Sequence, residues 1–177
     1  MKRIVECVPN FSEGRNRDVI DSIVKSISEV EGVKVLDVDP GEATNRTVVT
    51  FVGEPEAVTE AAFRSVRRAA ELIDMSHHHG AHPRIGATDV LPLIPVSGIT
   101  LEECADLARK LAERIATELE VPTYCYEAAA FTPERKNLAV VRKGEYEDWP
   151  NAPTSPARLP TSEPVRSMRT WPAQVPP

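Results

Sequence analysis

Apolar residues recur along the first 127 positions in two rhythms, one of period two and one of helical period, and turn-forming residues separate them. Residues 3–8 are β-branched and apolar enough for a strand, and 9–16 read as a polar loop. Asn16 is placed to cap a helix whose stripe is Val19, Ile20, Ile23, Ile27 and Val30, with Gly32 as its stop. A second strand is predicted over 33–38, a turn at Asp39-Pro40-Gly41-Glu42-Ala43, and a third strand over 45–52 carrying Val48, Val49, Phe51 and Val52. Pro55 suits the first turn of a second helix, which buries Val58, Ala62, Val66, Ala69 and Ile73 and leaves Arg64, Arg67 and Arg68 largely solvated. A fourth strand over 87–94 is interrupted by Pro92, so its end belongs at an edge or a bulge. Thr100 and Glu103 form a capping box for a third helix with Leu101, Cys104, Ala108, Leu111, Ile115 and Leu119 inward. A fifth strand over 121–127 carries Tyr124 and Tyr126.

The resulting order is β-α-β-β-α-β-α-β. Its first six elements match the ferredoxin-like βαββαβ arrangement, an α+β fold with a mixed, largely antiparallel sheet and helices on one face. The other face must then be covered, or be left partly apolar to solvent. Residues 1–148 are expected to form this domain. Beyond them, 149–177 holds half of the 16 prolines, three arginines, no lysine and no apolar periodicity. A disordered tail is expected there, and a shifted reading frame is the sharper explanation for so abrupt a change.

The net charge of −6 argues against a dedicated nucleic-acid binder, without excluding a local basic pocket for an anion. No run approaches the roughly 18 apolar residues of a membrane span. The first residues pass directly into a strand, so no signal peptide is expected. Cys7, Cys104 and Cys125 are odd in number and widely spaced, as small buried residues in a reducing compartment would be. A cytoplasmic location follows as an expectation.

The candidate chemistry sits between the second helix and the fourth strand. All four histidines, His77, His78, His79 and His82, fall within six residues, followed by Pro83, Arg84, Gly86 and Asp89. Imidazole can take and return a proton near neutral pH. His78 and His82 are four apart, but Gly80 and Pro83 oppose the helix that would put them on one face, and no cysteine or H-E-x-x-H pattern accompanies them. No metal is therefore expected. A solvated polar loop is the plain reading of His77 and His79. His82, before Pro83-Arg84, is favoured for function.

Four stretches carry a resemblance. They are Val5-Glu6-Cys7-Val8-Pro9-Asn10-Phe11-Ser12-Glu13-Gly14; Asp37-Val38-Asp39 with Gly41 and Asn45-Arg46-Thr47-Val48; Met75-Ser76 with His78, Gly80, His82-Pro83-Arg84, Gly86-Ala87 and Asp89-Val90; and Val121-Pro122 with Tyr124 and Tyr126. In this order, over residues 3 to about 148, they resemble the amino-terminal subdomain of glutamate formiminotransferase. The resemblance implies transfer of a formimino group from N-formimino-L-glutamate to tetrahydrofolate as co-substrate, with His82 at the position of the general base. It also implies a second subdomain of similar fold covering the sheet's open face, with the substrates in the channel between. No such second half is recognisable after 148, so a truncated enzyme is expected.

Individual residues keep two readings. Asp39 orients His82 or holds the substrate amidinium, or else serves as a turn residue before Pro40-Gly41. Arg46 and Arg84 bind carboxylates in the bidentate manner lysine cannot reproduce, or form structural salt bridges. Asn10 and Asn45 bind substrate or cap loops, and Gly41, Gly80 and Gly86 permit tight backbone near the ligand. Tyr124 and Tyr126 line the channel or fill the core. Small-molecule substrates and a homodimer are expected, with no nucleic acid and no membrane. The competing expectations are an inactive subdomain that self-associates or binds folate weakly, and a histidine-cluster metal module.

Overall fold

The computed structural model describes residues 1–143, 145 and 146. The expectations for the 149–177 tail lie outside the described residues. In chain order the elements are β1 (Ile4–Cys7), β2 (Asn10–Phe11), α1 (Arg17–Ser28), β3 (Val33–Gly41), β4 (Arg46–Gly53), α2 (Pro55–Leu72), β5 (Thr88–Val90), β6 (Leu93–Ser97), α3 (Leu101–Leu119) and α4 (Leu138–Val141).

β4 is the hub of the sheet. It pairs with β3 on one side and with β1 and β2 on the other, and β6 and β5 add to β1 and β2. Every pairing among the described residues is antiparallel, so the sheet is antiparallel rather than mixed. The reason is connectivity: α1 carries the chain from β2 past a gap to β3, and β4 folds back into that gap. The fold is α+β, as expected.

β1 and β2 are one strand line interrupted at Val8-Pro9. Val5↔Gly53, Cys7↔Phe51 and Phe11↔Thr47 keep one register across the break, where proline has no N–H to give the ladder. Side chains alternate strictly along this line. Val5, Cys7 and Phe11 meet Val49 and Phe51 on the inner face, all at most 1% exposed, beneath Ile23 and Ile27 of α1 and Val58, Ala62, Val66 and Ala69 of α2. The opposite face carries half-buried Glu6, Val48, Thr50 and Val52. Beside them β6 presents Ile94 at 39% and Val96 at 57% exposure.

Local chemistry sets the ends of the elements. Asn16 Oδ1 accepts from the Asp18 and Val19 N–H groups at the start of α1, and Thr100 and Glu103 form the predicted capping box on α3. Pro92 separates β5 from β6 at the sheet edge, as its missing N–H requires.

Three further expectations are corrected. Asp39-Pro40-Gly41 is not a turn: it continues β3 opposite Val48, Thr47 and Arg46, and the chain reverses at Glu42–Asn45 instead. Asn45 adopts φ 48°, the left-handed conformation that asparagine tolerates, so the reversal sits on Asn45 and not on Gly41. The strand over 121–127 does not form beyond a single bridge at Thr123. Pro122 cannot donate, and Arg109 on α3 donates to the Ala128 and Ala129 carbonyls at 3.0 and 3.2 Å, holding the segment against the helix. Leu101 is 59% exposed at the first position of α3 rather than buried in its face.

The chain following Val121, α2, α3 and the β5–β6 edge line a half-open, largely apolar cavity of about 950 Å³. Tyr124 and Tyr126 both line it, with Asp89. Neither His82 nor Arg46 does. Cys7, Cys104 and Cys125 are buried, as expected.

Candidate functional site

The loop between α2 and β5 is built onto the reversal before β4. Asn45 is the joint. It is 8% exposed; its side-chain oxygen accepts from Gly14 N–H at 3.0 Å and its amide donates to the His79 carbonyl at 3.1 Å. Its own carbonyl accepts from His78 Nε2 at 2.9 Å. Three loops thus meet at one side chain. Close approach explains Gly80: a β-carbon there would lie 2.2 Å from the Thr44 carbonyl oxygen. Gly41 is also crowded, by Thr44 Oγ1 at 2.5 Å, whereas at Gly86 the nearest atom is an ordinary 3.6 Å away.

The four histidines have different surroundings. His77 is exposed and bonded to Asp74, and the His79 side chain is exposed. His78 is buried at 7% exposure and uses both ring nitrogens on the protein. Nε2–H donates to Asn45, so Nδ1 accepts from Arg84 Nε at 3.1 Å, which requires the neutral ring. Its spacing to His82 therefore does not make a ligand pair.

His82 is half-buried and lies against Arg46, with Nε2 2.5 Å from Arg46 Nη1. A guanidinium can only donate, so Nε2 must be the acceptor and the proton resides on Nδ1. Among the described residues that Nδ1 has no partner of good hydrogen-bond geometry, although the adjacent Pro83 backbone favours the protonated ring. Removal from water and the adjacent Arg46 charge hold the imidazole below its ordinary value of 6.5; Arg142 adds to this, and Asp89 opposes it. The arrangement is a neutral imidazole beside a fixed cation, suited to taking a proton next to an anionic group.

The strand register places the other predicted residues. Asp39, Val48 and Asn10 lie in one row across the sheet, on the face that Arg46 also shares. Asp39 is exposed. Asn10 is 9% exposed, and its amide donates to the Val8 carbonyl at 3.1 Å. Arg84 is placed differently. It is 8% exposed, and besides His78 Nδ1 it donates to the His78 carbonyl at 3.2 Å and to Glu145 Oε2 at 2.8 Å.

A model of the formiminotransferase domain, N-terminal subdomain, matches residues 4–175. The chain belongs to the formiminotransferase family. It is 50% identical over 175 residues to the formimidoyltransferase-cyclodeaminase of Mus musculus, covering 99% of this chain and 32% of that protein. To the glutamate formimidoyltransferase of Streptococcus pyogenes serotype M1 it is 50% identical over 150 residues, 85% of this chain and 50% of the relative. The glutamate formimidoyltransferase of Thermoplasma acidophilum is 46% identical over 144 residues, 81% and 48% of the two chains. The chain thus spans a third to a half of the length of these relatives. The family match runs to residue 175, past the point near 148 where the motifs end.

A charged layer lies behind the histidine loop of this formiminotransferase-family chain, and the sequence names its Asp89 without giving it a role or a partner. Asp89, its side chain 1% exposed, accepts from the Ile85 N–H at 3.1 Å and pairs with Arg142. Tyr126 nearby has its hydroxyl pushed up to about 12 by burial. Asp89 carried one signal, a charge within a strand. Arg142 carried none, because its partner lies 53 residues away.

Proposed function

We propose that the chain carries the catalytic lobe of a glutamate formimidoyltransferase, passing the formimino group of N-formimino-L-glutamate to N5 of tetrahydrofolate. The observation that carries this reading is the neutral His82 beside Arg46, in a chain of the formiminotransferase family. The relatives named glutamate formimidoyltransferase support the reaction class.

The reaction needs one group that takes a proton and gives it back. N5 of the folate attacks the formimino carbon, and a C–N bond forms. His82 removes the excess proton from the attacking nitrogen. The same proton passes to the glutamate nitrogen as the old C–N bond breaks, releasing glutamate and 5-formiminotetrahydrofolate. A positioned imidazole contributes roughly a hundredfold to ten-thousandfold in such a step. Arg46 is assigned to a substrate carboxylate. A bidentate carboxylate draws the guanidinium off His82 Nε2 and so frees the lone pair at the moment it is needed. Asp39, exposed and two residues along the partner strand from the position facing Arg46, is assigned to the amidinium of the donor. Asn45 and Arg84 act through the loop, since their side chains are bonded to the protein.

The strand order and the split strand line support the ferredoxin-like arrangement over residues 1–148. The sheet face bearing Arg46, Ile94 and Val96 is assigned to one wall of the channel. Its opposite wall is a further lobe or, in a homodimer, a second copy. A cytoplasmic location accompanies this reading, and among the described residues no helix is long and apolar enough to cross a membrane.

The test is formimino transfer by the purified 177-residue protein, beside His82→Ala. Transfer by the native chain and none by a variant that melts within a few degrees of it is expected. A folded native chain that transfers nothing overturns the reading for this chain alone, and a variant that keeps its rate overturns the role of His82.

A further inference from the structure

We infer that Asp89 is a positioning residue for His82, and that it acts by clamping α4 and the turn after it to the root of the histidine loop through Arg142. The inference rests on the reading of His82 given above. A carboxylate as buried as Asp89 is costly unless it is paired and hydrogen-bonded. Both of its oxygens are engaged: one closes the 85–89 turn on the Ile85 N–H, and the other meets Arg142 just after α4. A second clasp lies three residues further on, where Arg84 pairs with Glu145 at 2.8 Å and the Tyr146 N–H donates to the Arg84 carbonyl at 2.9 Å. The two clasps hold the ends of 84–89, the stretch that follows His82-Pro83 directly. A short loop with glycines at 80 and 86 has little rigidity of its own. Bolted behind by Arg142, Glu145 and Tyr146 and in front by Asn45, it presents His82 in one place.

The pair also shapes the charge around His82. The charged groups acting on it are Arg46 from β4, Arg142 from the turn after α4, and Asp89 from β5, and the Pro83 backbone also favours the protonated ring. Two cations oppose the imidazolium that must form in transit, and Asp89 is the anion that offsets them. A buried ion pair is weak evidence for stability as such, and specification of a single geometry is its better-attested use.

The test uses the 177-residue protein with Asp89→Asn and Arg142→Gln, following the His82 Cε1–H titration by NMR and amide hydrogen exchange over 84–86. Both variants are expected to speed exchange of the Ile85 amide by about tenfold or more, since Asp89→Asn takes the charge from the acceptor of that N–H and Arg142→Gln takes away the counter-charge that holds the acceptor in place. The His82 midpoint is expected to fall in Asp89→Asn and to rise in Arg142→Gln. A merely structural pair would loosen the segment without moving the midpoint in opposite directions. Unchanged exchange, or a midpoint that stays in place in both variants, overturns the inference. Should Asp89→Asn fail to fold, Arg142→Gln, whose side chain is already 20% exposed, reads the same clamp. Neither readout needs substrate, so loss of the transfer reading and loss of the clamp are told apart.

Discussion

Asn45→Ala is the perturbation that most directly tests how the loops are joined. The substitution removes two hydrogen bonds, from Gly14 N–H at 3.0 Å and to the His79 carbonyl at 3.1 Å, and puts a plain β-carbon at φ 48°. The Gly14 donor is buried and cannot be rehydrated in place, which costs about 1–3 kcal/mol; the more accessible His79 carbonyl adds about 1 kcal/mol. An alanine in the left-handed region costs a further 1–2 kcal/mol or so, a strain that asparagine's local hydrogen bonding relieves. The expected loss is therefore about 3–6 kcal/mol, or on the order of 10 °C in Tm for a chain of this size. Asn45→Gly serves as the control. It loses the same two bonds without the strain, so it should be less destabilised than alanine by about 1 kcal/mol. Urea unfolding of all three proteins, with the m-values compared, measures both differences. An alanine variant within about 1 kcal/mol of the parent, or a glycine variant no better than alanine, would refute the account of Asn45 as the joint.

Two further predictions concern the same loop. Gly80→Ala must displace backbone, because its β-carbon would lie 2.2 Å from the Thr44 carbonyl oxygen, whereas Gly86→Ala meets nothing closer than 3.6 Å. Thermal melts should show a clear loss for the first and little change for the second; equal Tm values would show that the close approach does not constrain the loop. For His82, the folded-state value lies below 6.5, so between the two values the unfolded chain carries a proton that the folded chain does not. Stability then rises with pH through that interval: the contribution is complete above 6.5 and is lost as the pH falls. Transfer, which needs the neutral ring, should decline only on the acid side of 6.5. An NMR midpoint for His82 at or above 6.5 would sink both expectations.

The linear pattern determined what depends on neighbours in the chain. The helix stripes of α1 and α2, the Asn16 cap, the capping box at Thr100 and the break at Pro92 are local matters of side-chain period and of which backbone groups lack partners. So is the concentration of chemistry in the histidine stretch, since a short polar loop announces itself by composition. Family membership was legible too, because separated motifs in a fixed order are a property of sequence.

Tertiary contacts decided the rest. Aspartate, proline and glycine at 39–41 carry strong turn propensity, yet pairing with Arg46–Val48 kept them in β3, and the reversal moved to Asn45. The segment at 121–127 has the composition of a strand, but Arg109 holds it to α3. Both His78 and His82 sit in the same motif. Only the fold gave one of them two protein partners and set the other against Arg46. Arg84 and Arg46 looked alike as carboxylate binders until burial and Glu145 separated them. Asp89 and Arg142 could not be paired from the sequence at all. An ion pair between residues 53 positions apart has no local signature; it exists because β5 and the turn after α4 are brought together, and a charge can be buried only where its counter-charge arrives with it.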